Sequence, residues 1–145
     1  MSPAATSASR WKLPYIQNTL TEGDNPPPFI AITESWLKSY VTDAQISIDN
    51  YQMLRSDRPD RVGGGCLLYV HDQLVVTKTE HYEDKYNNMI MCYVQSCNTL
   101  FAVVYRPPGQ DTPGFKSVLD KIQESIDALS ENSTSPDIYI SGDFN

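Results

Sequence analysis

The chain has 145 residues, is 40% hydrophobic and 20% charged, and carries a formal net charge of −7. That length suits one domain, the composition is too apolar for a disordered chain, and no apolar run approaches membrane-spanning length. Acids outnumber bases 18 to 11, which argues against a surface built to neutralise nucleic-acid phosphates, although carboxylates gathered around a bound cation account for part of the balance.

Residues 1–10 are small and polar, lack the apolar stretch of a secretory signal, and read as a disordered N-terminus ahead of one domain over 11–145. From Trp11 to Leu20, apolar residues at Trp11, Leu13, Tyr15, Ile16 and Leu20 are compatible with a short helix holding Pro14 in its first turn. Thr21 to Pro28, with Gly23, Asp24, Asn25 and a run of prolines, is a loop. Phe29 to Thr33 is apolar enough for a central strand covered on both faces. Tyr51 to Arg55 is a weaker strand.

Gly63-Gly64-Gly65 leads into a strand over Cys66 to Val70, and Asp72-Gln73 reads as a hairpin turn into Leu74 to Thr77. Met89 to Gln95 and Thr99 to Tyr105 form a second hairpin, closed by Ser96 to Asn98. Over Pro113 to Glu131, Phe115, Val118, Leu119, Ile122, Ile126 and Leu129 recur at spacings of three and four, the stripe of an amphipathic helix. Asp137 to Ser141 is a short strand running into Gly142-Asp143-Phe144-Asn145. Hairpins in the middle with a helix toward each end predict an α/β sandwich, mostly antiparallel sheet with helices outside. Cys66 and Cys92 fall in strand-like runs and read as buried thiols of a reducing compartment, nuclear or cytoplasmic; a disulfide is the alternative.

Three strand ends carry polar groups that a core strand does not need: Glu34 after Thr33, Tyr105 and Arg106 before Pro107, and Asp143 with Asn145 after Ile140. Residues two apart on a strand project from one face, so Asp143 and Asn145 share a side. Mg²⁺ takes hard oxygen ligands, usually one or two carboxylates, and keeps waters for its substrate. Glu34 suits that ligand, Asp143 suits a group orienting or deprotonating water, and Asn145 and the Tyr105 hydroxyl suit donors to phosphoryl oxygens. Each also has a plain reading, as a solvated loop residue, a packed aromatic, or a turn bonding its own backbone. His71-Asp72 reads as a turn and His81 as a surface residue.

Taken together, Ile32-Thr33-Glu34-Ser35-Trp36-Leu37, Arg55-Ser56-Asp57-Arg58 with Gly63-Gly64-Gly65-Cys66, Val104-Tyr105-Arg106-Pro107-Pro108-Gly109 and Ser141-Gly142-Asp143-Phe144-Asn145 resemble the endonuclease/exonuclease/phosphatase family. The likeness is greatest to the endonuclease domains of non-LTR (LINE-type) retrotransposons and runs from about Trp11 to Asn145. It implies an incomplete four-layer, DNase I-like α/β sandwich, Mg²⁺ or Mn²⁺ as cofactor and DNA as partner of the complete domain; the lack of a membrane-length apolar run predicts no membrane. The likeness implies that Glu34 binds the metal, Tyr105 contacts phosphate, Asp143 positions the nucleophilic water and Asn145 stands beside it, with Arg58 and the glycines structural.

The family's opening strand with its metal-holding Asn has no counterpart in Met1 to Arg10, and its closing Ser-Asp-His string lies beyond the Asp-Phe-Asn string. The expectation is therefore a truncated domain with mainly one sheet, an open apolar face and little activity alone. A non-catalytic remnant acting by binding, and a phosphoesterase of the same fold with another substrate, are the competing readings.

Overall fold

A computed structural model describes residues 13–19, 23–110, 112–131 and 134–144; the expectations for residues 1–10, Trp11, Leu20 and Asn145 lie outside the described residues. Helix α1 covers 13–19. It is followed by β1 (Phe29–Thr33), α2 (Asp43–Ile46), β2 (Tyr51–Ser56), β3 (Cys66–His71), β4 (Val76–Glu83), β5 (Asn88–Val94), β6 (Thr99–Tyr105), α3 (Thr112–Ser130) and β7 (Asp137–Asp143). The strands form a three-stranded sheet in the order β1-β3-β2 and a four-stranded sheet in the order β4-β5-β6-β7. Every pairing is antiparallel except β6 with β7.

Strand alternation sorts the side chains into three apolar layers. Between the sheets, Phe29, Ala31, Leu54, Cys66, Leu68 and Val70 meet Ile90, Cys92, Phe101, Val103 and Tyr105. Phe29 and Phe101 stack there with ring centroids 4.4 Å apart. The outer face of the first sheet packs Ile30, Ile32, Met53, Leu67 and Tyr69 under Leu13 and Ile16 of α1, with Leu37, Ile46 and Ile48. The outer face of the second packs Met89, Met91, Leu100, Ala102 and Val104 under Phe115, Val118, Ile122, Ile126 and Leu129 of α3. Helix, sheet, sheet, helix: this is the expected four-layer α/β sandwich.

Several expectations are corrected. The chain supplies both sheets, so the two inner faces close on each other instead of standing open; Leu68, Val70, Ile90 and Val103 have no exposure at all. β1 is an edge strand, paired with β3 alone and half-buried along its length, not a central one. The turn at Asp72-Gln73 is real, with the Leu74 amide bonded to the His71 carbonyl, but it closes no hairpin. It carries the chain from β3 into β4 of the other sheet, and Leu74 and Val76 pack into the inter-sheet core on the way. Leu119 is 50% exposed, because the stripe of α3 is centred on Val118 and Ile122.

The Met89–Tyr105 hairpin, the helix and the final strand are where the sequence places them. Cys66 and Cys92 are buried free thiols, and burial pushes both up to about 12; Cys97 is exposed. At the outer edge of the second sheet β7 leaves Ile138, Tyr139 and Ile140 substantially exposed. Gly142 of β7 lies so close to β6 that a Cβ there would collide with the Val104 carbonyl.

Candidate active site

The register brings the predicted residues to one end of the sandwich. Asp143 pairs with Tyr105 in the parallel β6–β7 ladder, so both side chains leave the sheet on its inner face. β1 lies against β6 and β7, and its C-terminal end delivers Glu34 to the Tyr105 hydroxyl, which hydrogen-bonds the carboxylate. Three separate strand ends therefore meet: Glu34, Tyr105 and Asp143. Asn145, predicted to join them, is outside the described residues.

The Gly63-Gly64-Gly65 run explains how Glu34 is held. The Trp36 amide donates to the Gly64 carbonyl at 3.1 Å, and the Gly64 amide returns a bond of 2.6 Å to Glu34 Oε2. Trp36 Nε1 donates to the same oxygen at 2.5 Å. Gly64, at φ +76°, threads between Arg58 and Tyr105; an added Cβ would stand 3.0 Å from Tyr105 Cε1 and overlap the arginine side chain. Glu34 and Trp36 themselves have φ of 54° and 53°, a conformation that costs L-residues roughly 1–2 kcal/mol each and persists only where surrounding bonds enforce it.

Arg58, read as structural from the sequence, sits beside the chemistry: its guanidinium carbon is 5.4 Å from the Tyr105 ring centroid, and its charge acts on Glu34. Spacing alone could not reveal this, since the loop from Arg58 to Gly65 has to fold back first. Arg55 instead braces the fold, binding Asp57, Asp43 and the carbonyls of Val41 and Lys38. Beneath the site, fully buried Asn88 faces Tyr105 across the β5–β6 ladder and donates to Ser56 Oγ at 3.0 Å, tying the two sheets together. The polar Asn87-Asn88 pair opening an apolar strand was the signal for it. His71 closes β3 at the far end from Glu34, its Nδ1 accepting the Gln73 amide, and His81 is exposed on β4.

Partial burial raises the pKa of Glu34, but the bonds from the Gly64 amide, the Tyr105 hydroxyl and the Trp36 indole, with the Arg58 charge, outweigh it. The carboxyl therefore sits below its usual range and is ionised at neutral pH. Burial, the bond to Glu34 and the charges of Glu34 and Asp143 push Tyr105 up to about 12 against the opposing charge of Arg58. Its hydroxyl keeps its proton and remains a donor. Glu80 and Asp84 are lowered as well: burial is again outweighed, by Lys78 and Ser125 for Glu80 and chiefly by Asn87 for Asp84.

A carboxyl lowered on folding contributes stability above its unfolded value, about 4, and loses that contribution as pH falls through the folded value. Urea midpoints are thus expected to hold steady above about pH 5 and drop below about pH 4. A midpoint unchanged down to about pH 3 would contradict these shifts.

No cluster of three or more His, Cys, Asp or Glu able to hold a metal occurs among the described residues. An ionised carboxylate with a tyrosine hydroxyl and a second carboxylate nearby is nonetheless a donor set that suits hydrated Mg²⁺, which takes few protein ligands. Among the described residues no helix is long and apolar enough to cross a membrane.

No family model matches the chain, and no curated protein matches it. Solved structures do. The 3′-5′ exonuclease NExo from Neisseria meningitidis is 20% identical, with 92% of this chain and 53% of that one covered and a TM-score of 0.63. NExo has also been solved as a 3′ phosphatase bound to a product DNA hairpin. TDP2 from Caenorhabditis elegans is 15% identical over 99% of this chain and 45% of that one, with a TM-score of 0.58. The AP endonuclease LMAP from Leishmania major is 13% identical over 94% and 51%, with a TM-score of 0.54. These likenesses establish a DNase I-like fold, and the chain spans about half the length of the structures it matches.

Proposed function

We propose that this chain contributes the Glu34–Tyr105–Asp143 side of a Mg²⁺-dependent phosphodiesterase centre acting on DNA, of the kind carried by retrotransposon endonucleases. The observation behind this reading is the convergence of three distant strand ends, one an ionised carboxylate bonded to a tyrosine that keeps its proton. Glu34 would hold the cation, which when bound polarises a phosphoryl oxygen. With substrate bound, Tyr105 would turn its hydroxyl from Glu34 to a non-bridging phosphate oxygen. Asp143 orients or deprotonates the attacking water, with Asn145 beside it. The order of the four sequence strings supports the retrotransposon subgroup, and the product DNA held by NExo supports the substrate class.

His71 closes β3 at the far end, and exposed His81 lies on the edge strand β4, two strands away from Tyr105, so no imidazole among the described residues is placed to move a proton at the scissile bond. The 145-residue chain alone is therefore proposed to turn over weakly. The net charge of −7 favours a second reading, a module that binds without turnover. Calorimetric titration with Mn²⁺ and a plasmid-nicking assay test both. The first reading expects one cation site and at most slow nicking that Asp143→Ala removes. A chain that binds no divalent cation sinks it, and rapid nicking abolished by Asp143→Ala removes the claim of weak turnover.

A further inference from the structure

We infer that the edge beside this centre carries a second phosphate-binding point, built by Arg61 and Lys85 on the ring of Tyr86, that grips a polynucleotide strand away from the bond to be cut. The inference rests on the phosphodiesterase reading and adds to it where the strand runs.

The cations of the described chain are partnered in different ways. Four are ion-paired: Arg55 with Asp43 and Asp57, Lys78 with Glu80, Lys116 with Asp120, and Lys121 with Glu80 and Glu124, while Lys38 and Arg106 donate to backbone carbonyls and Arg106 also lies on the Phe115 ring. Beside the centre, Arg58, Arg61 and Lys85 have no carboxylate within 4.0 Å among the described residues. They lie on aromatic rings instead: Arg58 at 5.4 Å from the Tyr105 centroid, Arg61 at 5.9 Å and Lys85 at 5.2 Å from that of Tyr86. A ring positions a cation without cancelling its charge, so these groups stay available to an anion from outside. Arg61 and Lys85 are exposed, and Tyr86 is 42% exposed.

The platform is rigid before any ligand arrives. Asp84 accepts the Tyr86 and Asn87 amides, both at 2.7 Å, which fixes the 84–87 turn and engages its own acid with backbone donors. Lys38 Nζ donates to the carbonyls of both Arg58 and Arg61 and so holds the opposite loop. Arg58 lies on Tyr105, the Arg61 amide donates to the Arg58 carbonyl, and Arg61 and Lys85 lie on Tyr86, so rings and cations interleave along one run of contacts. Such an alternation suits a sugar-phosphate backbone with an unstacked base. It also places the available positive charge of an acidic chain next to its cleavage centre.

The test is fluorescence anisotropy of a labelled single-stranded oligodeoxynucleotide with the full chain in EDTA, read as affinity against salt. Neutralising each phosphate contact contributes about 0.7 to the slope of log affinity against log salt for single strands. The Arg61→Ala/Lys85→Ala chain is expected to lose about 1.4 of that slope, and Arg61→Lys to retain its share. Lys116→Ala/Lys121→Ala removes the same charge from the ion-paired cations and is expected to leave the slope unchanged.

No oligonucleotide binding, an unchanged slope in Arg61→Ala/Lys85→Ala, or an equal loss in both double variants overturns the proposal. Arg61- and Lys85-dependent binding to phosphatidylserine vesicles but not to the oligonucleotide overturns it in favour of a membrane surface. Cleavage plays no part in the readout, so a failed nicking assay with this binding intact would count against the phosphodiesterase reading alone.

Discussion

Replacing Glu34 with glutamine is expected to weaken divalent-cation binding by about 100-fold, roughly 2.7 kcal/mol, while the chain stays folded. The isostere keeps the shape and removes the charge, and hard cations bind ionised oxygen far better than an amide. The surroundings are built for the charge: the Gly64 amide, the Trp36 indole and the Tyr105 hydroxyl all donate to the carboxylate. An amide at position 34 can offer its oxygen to some of these donors, but its NH₂ then faces the rest, and a donor meeting a donor leaves both unsatisfied. The Trp36 ring reports the outcome directly, because its Nε1 shares Oε2 with the Gly64 amide. Mn²⁺ titration followed by calorimetry and tryptophan emission is the measurement. An affinity within about three-fold of the parent chain, a change of only about 0.7 kcal/mol, would remove Glu34 from the metal site.

Gly142→Ala is expected to be the most destabilising of the glycine substitutions near the site, at about 3 kcal/mol or more. Gly142 lies opposite Val104 in the parallel ladder, and its Cβ would overlap the Val104 carbonyl, which backbone pairing holds in place. Relief requires β7 to part from β6, and that carries Asp143 away from Tyr105. Gly109→Ala separates this collision from the cost of backbone conformation alone. Its φ of 77° is unfavourable for alanine, yet a Cβ there meets nothing within 4 Å, so its cost is about 1 kcal/mol. Urea midpoints and amide exchange along β7 measure both; equal losses in the two variants would mean the close approach at Gly142 carries no special weight.

Local pattern was legible in the sequence, and the assignment of strands to sheets was not. The spacing of Phe115, Val118, Ile122, Ile126 and Leu129 is unambiguous because α3 has one apolar partner, the outer face of the second sheet. β1 looked central because apolar residues occupy both of its faces. The structure shows why an edge strand can look so: α1 covers one face and the second sheet the other, and burial by layers leaves the same signature as burial by neighbours. Leu74 and Val76 alternate like a returning strand, but alternation identifies an inward face without saying which sheet provides the next pairing.

At the site, Glu34, Tyr105 and Asp143 stood out as polar groups closing apolar strands. Arg58 and Trp36 did not, since each reaches the carboxylate or the tyrosine only after the chain folds back on itself, and Asn88 was marked only by the polar pair that opens its strand.

β7 joins β6 in parallel only after the whole of α3 has been laid across the sheet. During synthesis, Glu34 and Tyr105 can come together while Asp143 has yet to emerge from the ribosome. Chain order thus permits a stage in which the tyrosine and its carboxylate partner are in place before the last acid, with the edge's remaining negative charge added when β7 pairs.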